Sequence, residues 1–173
     1  QTISIPAISI VIPTFNLENY IGDCLDSILS QTFQDFEVIV VDDCSVDQTF
    51  NVIESFKNRF NRKLHSYRLL KNSNDGAATP KNVGMKYARR KYIIFIDGDD
   101  LLLKNALQDF FIFAENFNAD IVYTERFALF YDKGRAPKNE ELLSGDVLDP
   151  TERIDKPTLD TSTLEEKVQR FMN

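Results

Sequence analysis

Tyr92-Ile93-Ile94-Phe95-Ile96-Asp97-Gly98-Asp99-Asp100 passes from an unbroken apolar run into three carboxylates within four positions. The apolar part has the length and composition of a buried strand. Carboxylates this dense cannot sit in an apolar interior without a compensating positive charge. The cluster therefore faces water at the strand's carboxyl end or holds a cation. Glu37-Val38-Ile39-Val40-Val41 repeats the pattern and ends on Asp42-Asp43. Ligands of open α/β sheets bind beyond the carboxyl ends of the strands. Two buried strands aiming acids at one edge point to a metal–nucleotide site.

Outward from these two segments, strands alternate with helices. Ile8–Ile12 is a short β-branched run closed by Pro13 and predicts a first strand. Tyr20, Ile21, Cys24, Leu25, Ile28 and Leu29 recur at helical spacing and predict a helix over 19–31. The second strand is Phe36–Val41. Ser45 and Gln48 fit a capping box for the next helix, with Asp47 adding negative charge near its start. Val52, Ile53, Phe56 and Phe60 form the apolar side of that helix. Leu64–Leu70 predicts a third strand, Lys71–Thr79 a polar loop, and Pro80 opens a helix to about Arg89. After the strand Tyr92–Ile96, a helix over 104–117 carries Leu103, Ala106, Leu107, Phe110, Phe111 and Ala114 as its apolar stripe, read as core. A further strand is expected over 121–131, partly at an edge. The alternation implies a mainly parallel sheet with helices on both faces. Arg89-Arg90-Lys91 reads as a helix C-terminus facing water, with a peripheral role at an anionic membrane face as the other use considered for it.

Composition narrows the class. A chain of 173 residues, 43% hydrophobic and with 14 Phe, can bury a real core. Its net charge of −7 and pI near 4.8 exclude a nucleic-acid backbone as partner, which would need a basic footprint. An acidic chain still binds an anionic nucleotide when a divalent cation stands between them. Cys24 and Cys44 have neither the number nor the spacing of a zinc site or a disulfide framework and are read as reduced thiols of a cytoplasmic protein. No apolar run approaches the ~20 residues of a membrane span, and no signal peptide is recognised. The start at Gln1 is read as trimmed or replaced. Residues 132–173, with Pro137, Pro150, Pro157 and many charges, are expected to be a weakly structured extension ending in one short helix, capped by Thr163 and Glu166. This divides the chain into 1–131, a nucleotide-sugar-binding domain, and 132–173, the start of an incomplete acceptor region.

Four motifs in order resemble those of the family 2 glycosyltransferases, inverting enzymes of the GT-A fold. They are Val11-Ile12-Pro13-Thr14-Phe15-Asn16, Val40-Val41-Asp42-Asp43-Cys44-Ser45-Val46-Asp47, Pro80-Lys81-Asn82-Val83-Gly84 and Phe95-Ile96-Asp97-Gly98-Asp99-Asp100. The family usually has Gly at the position of Cys44 and Arg at that of Lys81. The last motif matches the family's DXD. The resemblance covers about residues 7–131 and is nearest to bacterial cell-envelope polymer enzymes, of wall teichoic acid and capsule type.

What the resemblance implies is specific. Asp99 binds a metal, Mn²⁺ or Mg²⁺, and Asp97 contacts the ribose or the metal shell; residues two apart in an extended segment point the same way. Gly98 clears space for the approaching nucleotide. Asp42 accepts the uracil N–H, and Asp43 either reaches the ribose or caps the turn. Pro13 and Thr14 form a wall of the uracil pocket, with Asn16 and Glu18 on the loop beyond. Lys81 meets phosphate as a point charge, without the bidentate geometry of Arg. Asn82 supports the loop and Gly84 permits close helix–sheet packing. Asp100 is left as a helix cap or as support for the metal ligands. The donor implied is a UDP-sugar and the acceptor a glycan or polyol-phosphate polymer. Inverting transfer needs a general base, and none is recognised in 132–173. The chain is therefore expected to be the donor-binding part of a longer enzyme, truncated at its C-terminus. The alternatives are a non-catalytic nucleotide-sugar-binding module and a receiver-like or phosphoryl-transfer α/β domain. Against the latter, the first strand ends in Pro13-Thr14 rather than in acids.

Overall fold

The structure is a computed structural model that describes residues 7–69 and 78–122. All of these lie in the first of two units, Gln1–Asn139 and Glu140–Asn173. Among them strands and helices alternate as β1 (Ile8–Thr14), α1 (Ile21–Leu29), β2 (Phe36–Asp42), α2 (Thr49–Phe56), β3 (Leu64–Arg68), α3 (Ala78–Tyr87), β4 (Tyr92–Phe95) and α4 (Ala106–Phe117). Ile121 and Val122 are not in a strand. The rest of the strand expected over 121–131, the boundary at 131 and the extension with its terminal helix lie outside the described residues.

The four strands form one parallel sheet in the order β3-β2-β1-β4. The chain moves from β1 outward to β3 with α1 and α2 on one face, then crosses back over β1 to β4 through α3. Right-handed crossovers in opposite directions place their helices on opposite faces. Ile8, Ile10, Ile12, Val38 and Val40 accordingly pack with Ile21, Cys24, Leu25, Ile28, Ile53, Phe56 and Leu107, from α1, α2 and α4. Val11, Ile39 and Val41 pack on the other face against Val83 and Ala88. All seven residues of β1 and of β2 are buried. Covered on both faces, these strands need continuous apolar runs rather than alternation.

Several local expectations need correction. Pro13 does not end the first strand, which continues to Thr14. The Val11 carbonyl turns toward β4 and receives the Ile96 N–H at 3.1 Å. Pro13, two residues on, faces the same edge, but the β1–β4 ladder stops at Val11–Phe95. The N–H that proline lacks is thus not needed there. Ser45 is not the cap of α2, because its hydroxyl bonds the Asp42 carboxylate instead. The helix start is served by Asp47, which accepts the Thr49 N–H at 2.9 Å, and by Glu18, which accepts the Gln48 N–H at 2.8 Å. On α4, Leu107 and Ala114 are buried and Phe111 packs on the core, but Leu103 is 58% exposed.

Arg90 and Lys91 do not face water as free cations. Arg90 Nη2 lies 3.0 Å from the buried Glu37 carboxylate, which also receives Ser9 Oγ at 2.7 Å and the Arg89 N–H at 3.3 Å. Lys91 pairs with Glu115 at 2.5 Å. Of the three basic residues only Arg90 is drawn into the fold; Arg89 and Lys91 are exposed as expected, and α3 ends before them at Tyr87. Removing one partner of a buried pair strands the other charge and costs about 3–5 kcal/mol, whereas apolar replacement of both is often neutral. Arg90→Leu should lower the unfolding free energy obtained from urea denaturation by an amount in that range. Arg90→Leu with Glu37→Leu should recover most of the loss.

Gly84 lets α3 approach β1, since a Cβ there would lie 2.3 Å from Val11 Cγ1. Ala has an advantage of about 1 kcal/mol over Gly in a helix. Overpacking a core typically costs about 1–3 kcal/mol, and the buried, β-branched Val11 has little freedom to yield. Gly84→Ala should therefore destabilise the chain in urea denaturation, and Val11→Ala should relieve the loss in the double variant.

Candidate nucleotide and metal site at the carboxyl edge of the sheet

β1 leads to β2 on one side and pairs with β4 on the other, so the order reverses between β1 and β4. Crevices at such switch points are where open α/β sheets bind ligands. The structure brings the expected residues to this edge. Thr14 stands opposite Asp42 in the β1–β2 register, and the Asp43 N–H donates to the Thr14 carbonyl at 2.8 Å. Asp97 follows β4 immediately beyond Ile96. Pro13 and Thr14 are buried, and Asp97, Asp99 and Asp100 are exposed.

Asp97 and Lys81 meet across the switch point, with Lys81 Nζ 2.9 Å from Asp97 Oδ1. The lysine that departs from the family's Arg thus stands beside the acidic loop. The remaining charge is crowded. Partial desolvation within the loop, then the charges of Asp99 and Asp97, push the Asp100 carboxyl above its ordinary value, although the residue as a whole is exposed. The same three acids act on Cys24 beneath the loop. Burial first, then Asp100, Asp99 and Asp97, push its thiol well up, so it stays protonated. Its Sγ lies 3.8 Å from the Asp97 carbonyl oxygen.

At Gly98 the missing side chain has a packing reason within the fold. A Cβ at this position would lie 2.9 Å from Thr14 Cγ2, 2.9 Å from Leu17 Cδ1 and 3.3 Å from Ile21 Cδ1. The glycine seats the loop against β1 and the start of α1.

Asp42 is fully buried, and its carboxylate is already engaged. It receives the Ser45 N–H at 3.2 Å and the Ser45 hydroxyl, and Arg68 Nε lies 3.3 Å away. Arg68 also donates to the Ser45 carbonyl at 2.5 Å. Arg68 is the residue that sequence reasoning missed. A signal existed: a strand ending in Tyr67-Arg68 beside one ending in Asp42 supplies the counter-charge a buried carboxylate requires.

Asn16 and Glu18, expected among the nucleotide contacts, have other partners here. Asn16 Oδ1 accepts the Val46 N–H at 3.0 Å, and the Asn16 N–H donates to Ser45 Oγ at 2.9 Å. Glu18 accepts the Gln48 N–H, and its own N–H donates to Asp47 at 3.1 Å. Together they lace the loop after β1 to the loop after β2. The turn between them needs left-handed backbone at Asn16 (φ 53°) and Cys44 (φ 65°). The latter accounts for Gly as the usual residue where this chain has Cys44.

The donor set of the acidic loop is all oxygen, which suits a hard divalent cation. No group of three or more His, Cys, Asp or Glu side chains that could hold a metal occurs among the described residues.

Comparisons with known proteins bear on the fold and the family. Over 116 residues the chain is 37% identical to the poly(ribitol-phosphate) beta-N-acetylglucosaminyltransferase TarS of Staphylococcus aureus, covering 66% of this chain and 20% of TarS. A crystal structure of S. aureus TarS 1-349 in complex with UDP-GlcNAc matches with a TM-score of 0.62 and 39% identity, covering 66% of this chain and 32% of that one. The mannosyltransferase PcManGT of Pyrobaculum calidifontis, solved with GDP-Man and Mn²⁺, matches with a TM-score of 0.51 and 25% identity, over 56% of this chain and 28% of that one. The chain thus spans a fifth of the length of TarS. Its fold is the GT-A, Rossmann-like arrangement that the motifs imply. The model of the family described as Glycosyl transferase family 2 matches residues 9–168, and the chain belongs to that family.

Proposed function

We propose that this chain is the donor-binding part of a bacterial cell-envelope glycosyltransferase that takes a UDP-sugar with Mn²⁺ or Mg²⁺ and transfers the sugar with inversion to a glycan or polyol-phosphate polymer. The observation that carries the proposal is the meeting of Asp97, at the head of the acidic loop, with Lys81 at the β1–β4 switch point of a chain in this family. The name of TarS supports the choice of acceptor class, and its complex with UDP-GlcNAc supports the choice of UDP.

In this proposal Asp99 and Asp97 hold the cation. When bound, it offsets charge on the departing UDP as a Lewis acid. Lys81, now paired with Asp97, is released to a diphosphate oxygen. The pair is partly exposed, and such pairs are worth only about 0–1 kcal/mol, so the exchange is cheap. Thr14, Pro13, Asp43 and Asp42, with Arg68 beside it, form the nucleoside end. Asn16 and Glu18 contribute by fixing the loops around it. The general base and the acceptor contacts are assigned to polypeptide outside the described residues.

Calorimetric titration of UDP with and without Mn²⁺ tests this. Mn²⁺ should tighten UDP binding, and Asp99→Ala should cancel that gain, a loss of about tenfold or more in affinity (~1.4 kcal/mol). Mn²⁺-independent binding, or an Asp99→Ala chain that binds as the parent does, overturns the metal assignment.

The crowding at Asp100 predicts a pH dependence. A carboxyl raised in the folded state holds its proton more tightly there than in the unfolded chain. Its contribution favours the fold below the unfolded value, near ~3.9, and is lost as pH rises through the higher folded value. Asp100→Asn should therefore melt above the metal-free parent at pH 7. The gap should close as the pH falls below about 4, as thermal melts followed by circular dichroism would show.

A further inference from the structure

We infer that a buried polar stripe on α1 and its exit, formed by Cys24, Ser27 and Gln31, is the device that positions the acidic loop for its cation. The inference rests on the donor-site reading above and extends it to residues that touch no ligand. Cys24 and Ser27 lie on α1, and Gln31 lies two residues past its end. They are 0%, 5% and 3% exposed, in the middle of the helix–sheet core.

Each side chain is aimed at the segment between β4 and α4. The Cys24 thiol reaches the Asp97 carbonyl. Ser27 Oγ accepts the Leu102 N–H at 3.1 Å while donating to the Cys24 carbonyl at 2.7 Å. The Gln31 amide uses both ends. Its Nε2 donates to the Leu103 carbonyl at 2.8 Å and to the Ser27 carbonyl at 3.1 Å, and its Oε1 accepts the Leu107 N–H at 3.1 Å. The Thr32 N–H adds a bond to the Lys104 carbonyl at 3.0 Å.

Residues 96–105 belong to no helix or strand, so much of their backbone must find partners elsewhere. The residue before α4, Asn105, makes no side-chain cap bond, and Gln31 meets the Leu107 N–H from another element instead. Polar side chains are unfavourable in a core unless fully paired. An apolar stripe would pack α1 equally well, but it could not fix the loop's backbone. With Asp97 tied at one end and Leu102–Leu103 at the other, Asp99 and Asp100 are suspended between fixed points, and Gly98 is seated on Thr14, Leu17 and Ile21. Groups that orient metal ligands without touching the metal commonly change its affinity by about 10–100-fold when removed.

The test compares Ser27→Ala, Ser27→Thr and Gln31→Leu with the parent in two measurements. Hydrogen exchange followed by mass spectrometry reads residues 97–107 against β1 and β2. Electron paramagnetic resonance of Mn²⁺, with UDP present, reads metal affinity, and calorimetry reads UDP alone. Ser27→Ala and Gln31→Leu should speed exchange in 97–107 while leaving β1 and β2 protected. They should also weaken Mn²⁺ by about tenfold or more, with metal-free UDP binding unchanged. Ser27→Thr, which keeps the hydroxyl, should behave as the parent. If Gln31→Leu does not fold, the Ser27 pair decides. Folded variants with parental Mn²⁺ affinity overturn the positioning role, even if the loop exchanges faster. So does equal weakening of UDP alone, which marks general destabilisation. A parent chain that takes up neither UDP nor Mn²⁺ overturns the donor-site reading and the stripe's role with it, and the parent titration identifies that failure separately.

Discussion

The register of β1 between its two parallel neighbours fixes where every acid at the carboxyl edge stands. β1 is buried on both faces and hydrogen-bonded along both edges. Sliding it by one residue would exchange its two faces and bring Ser9 into the face now filled by Ile8, Ile10 and Ile12. That register sets Thr14 beside Asp42. It also ends the β4 ladder at Phe95, so the chain leaves the sheet just before Asp97. The two close approaches at glycine, Gly84 on Val11 and Gly98 on Thr14, are both made to this strand.

A second constraint is charge. The buried acids on β2 are each matched by a cation from a neighbouring element, Asp42 by Arg68 and Glu37 by Arg90. Both pairs sit in surroundings where an unmatched charge is costly. At the tip of β4 the matching is incomplete. Lys81 answers Asp97, while the carboxyl of Asp100 is held up by partial desolvation and by its acidic neighbours. The contrast separates the acids that belong to the fold from those whose natural complement is an added cation.

Much of this was legible in the sequence, for identifiable reasons. Continuous apolar runs bounded by turn residues and ending in acids read as strands, so the parallel sheet and its acidic edge followed from local pattern. Burial on both faces holds for β2 but not for β4, read as buried too, where Ile93 and Phe95 are 41% and 44% exposed because among the described residues it pairs only with β1. What failed depended on contacts between distant segments. Ser45 has the residue type and spacing of a cap, but Asp42 competes for its hydroxyl. Glu18 looked like a first-turn acid or a ligand contact, and it closes the start of a different helix. The packing of Gly98 on Thr14, Leu17 and Ile21 is likewise a contact with a distant segment. Arg90 followed other basic residues at a helix end, and only the fold shows Glu37 beneath it. Cys24 was correctly read as buried, yet its polar role was invisible, because its partner is a backbone carbonyl more than seventy residues away.

The last point bears on how such a site keeps its geometry. A loop carrying three carboxylates repels itself and gains little from its own side chains until a cation arrives. Beyond the partly exposed Lys81–Asp97 pair, its order in the metal-free chain rests on neutral interactions, which like charge does not weaken. The bonds from Ser27 and Gln31 to the backbone at Leu102, Leu103 and Leu107 are of that kind. The thiol of Cys24 is too, since burial first, and then the acids above it, keep it protonated. An ionised group at any of these positions would add to the repulsion or draw a carboxylate away from its ligand. Neutral donors and acceptors hold the chain and leave the carboxylate oxygens to the cation. On this argument the polarity of the α1 stripe and the acidity of the loop are two halves of one arrangement.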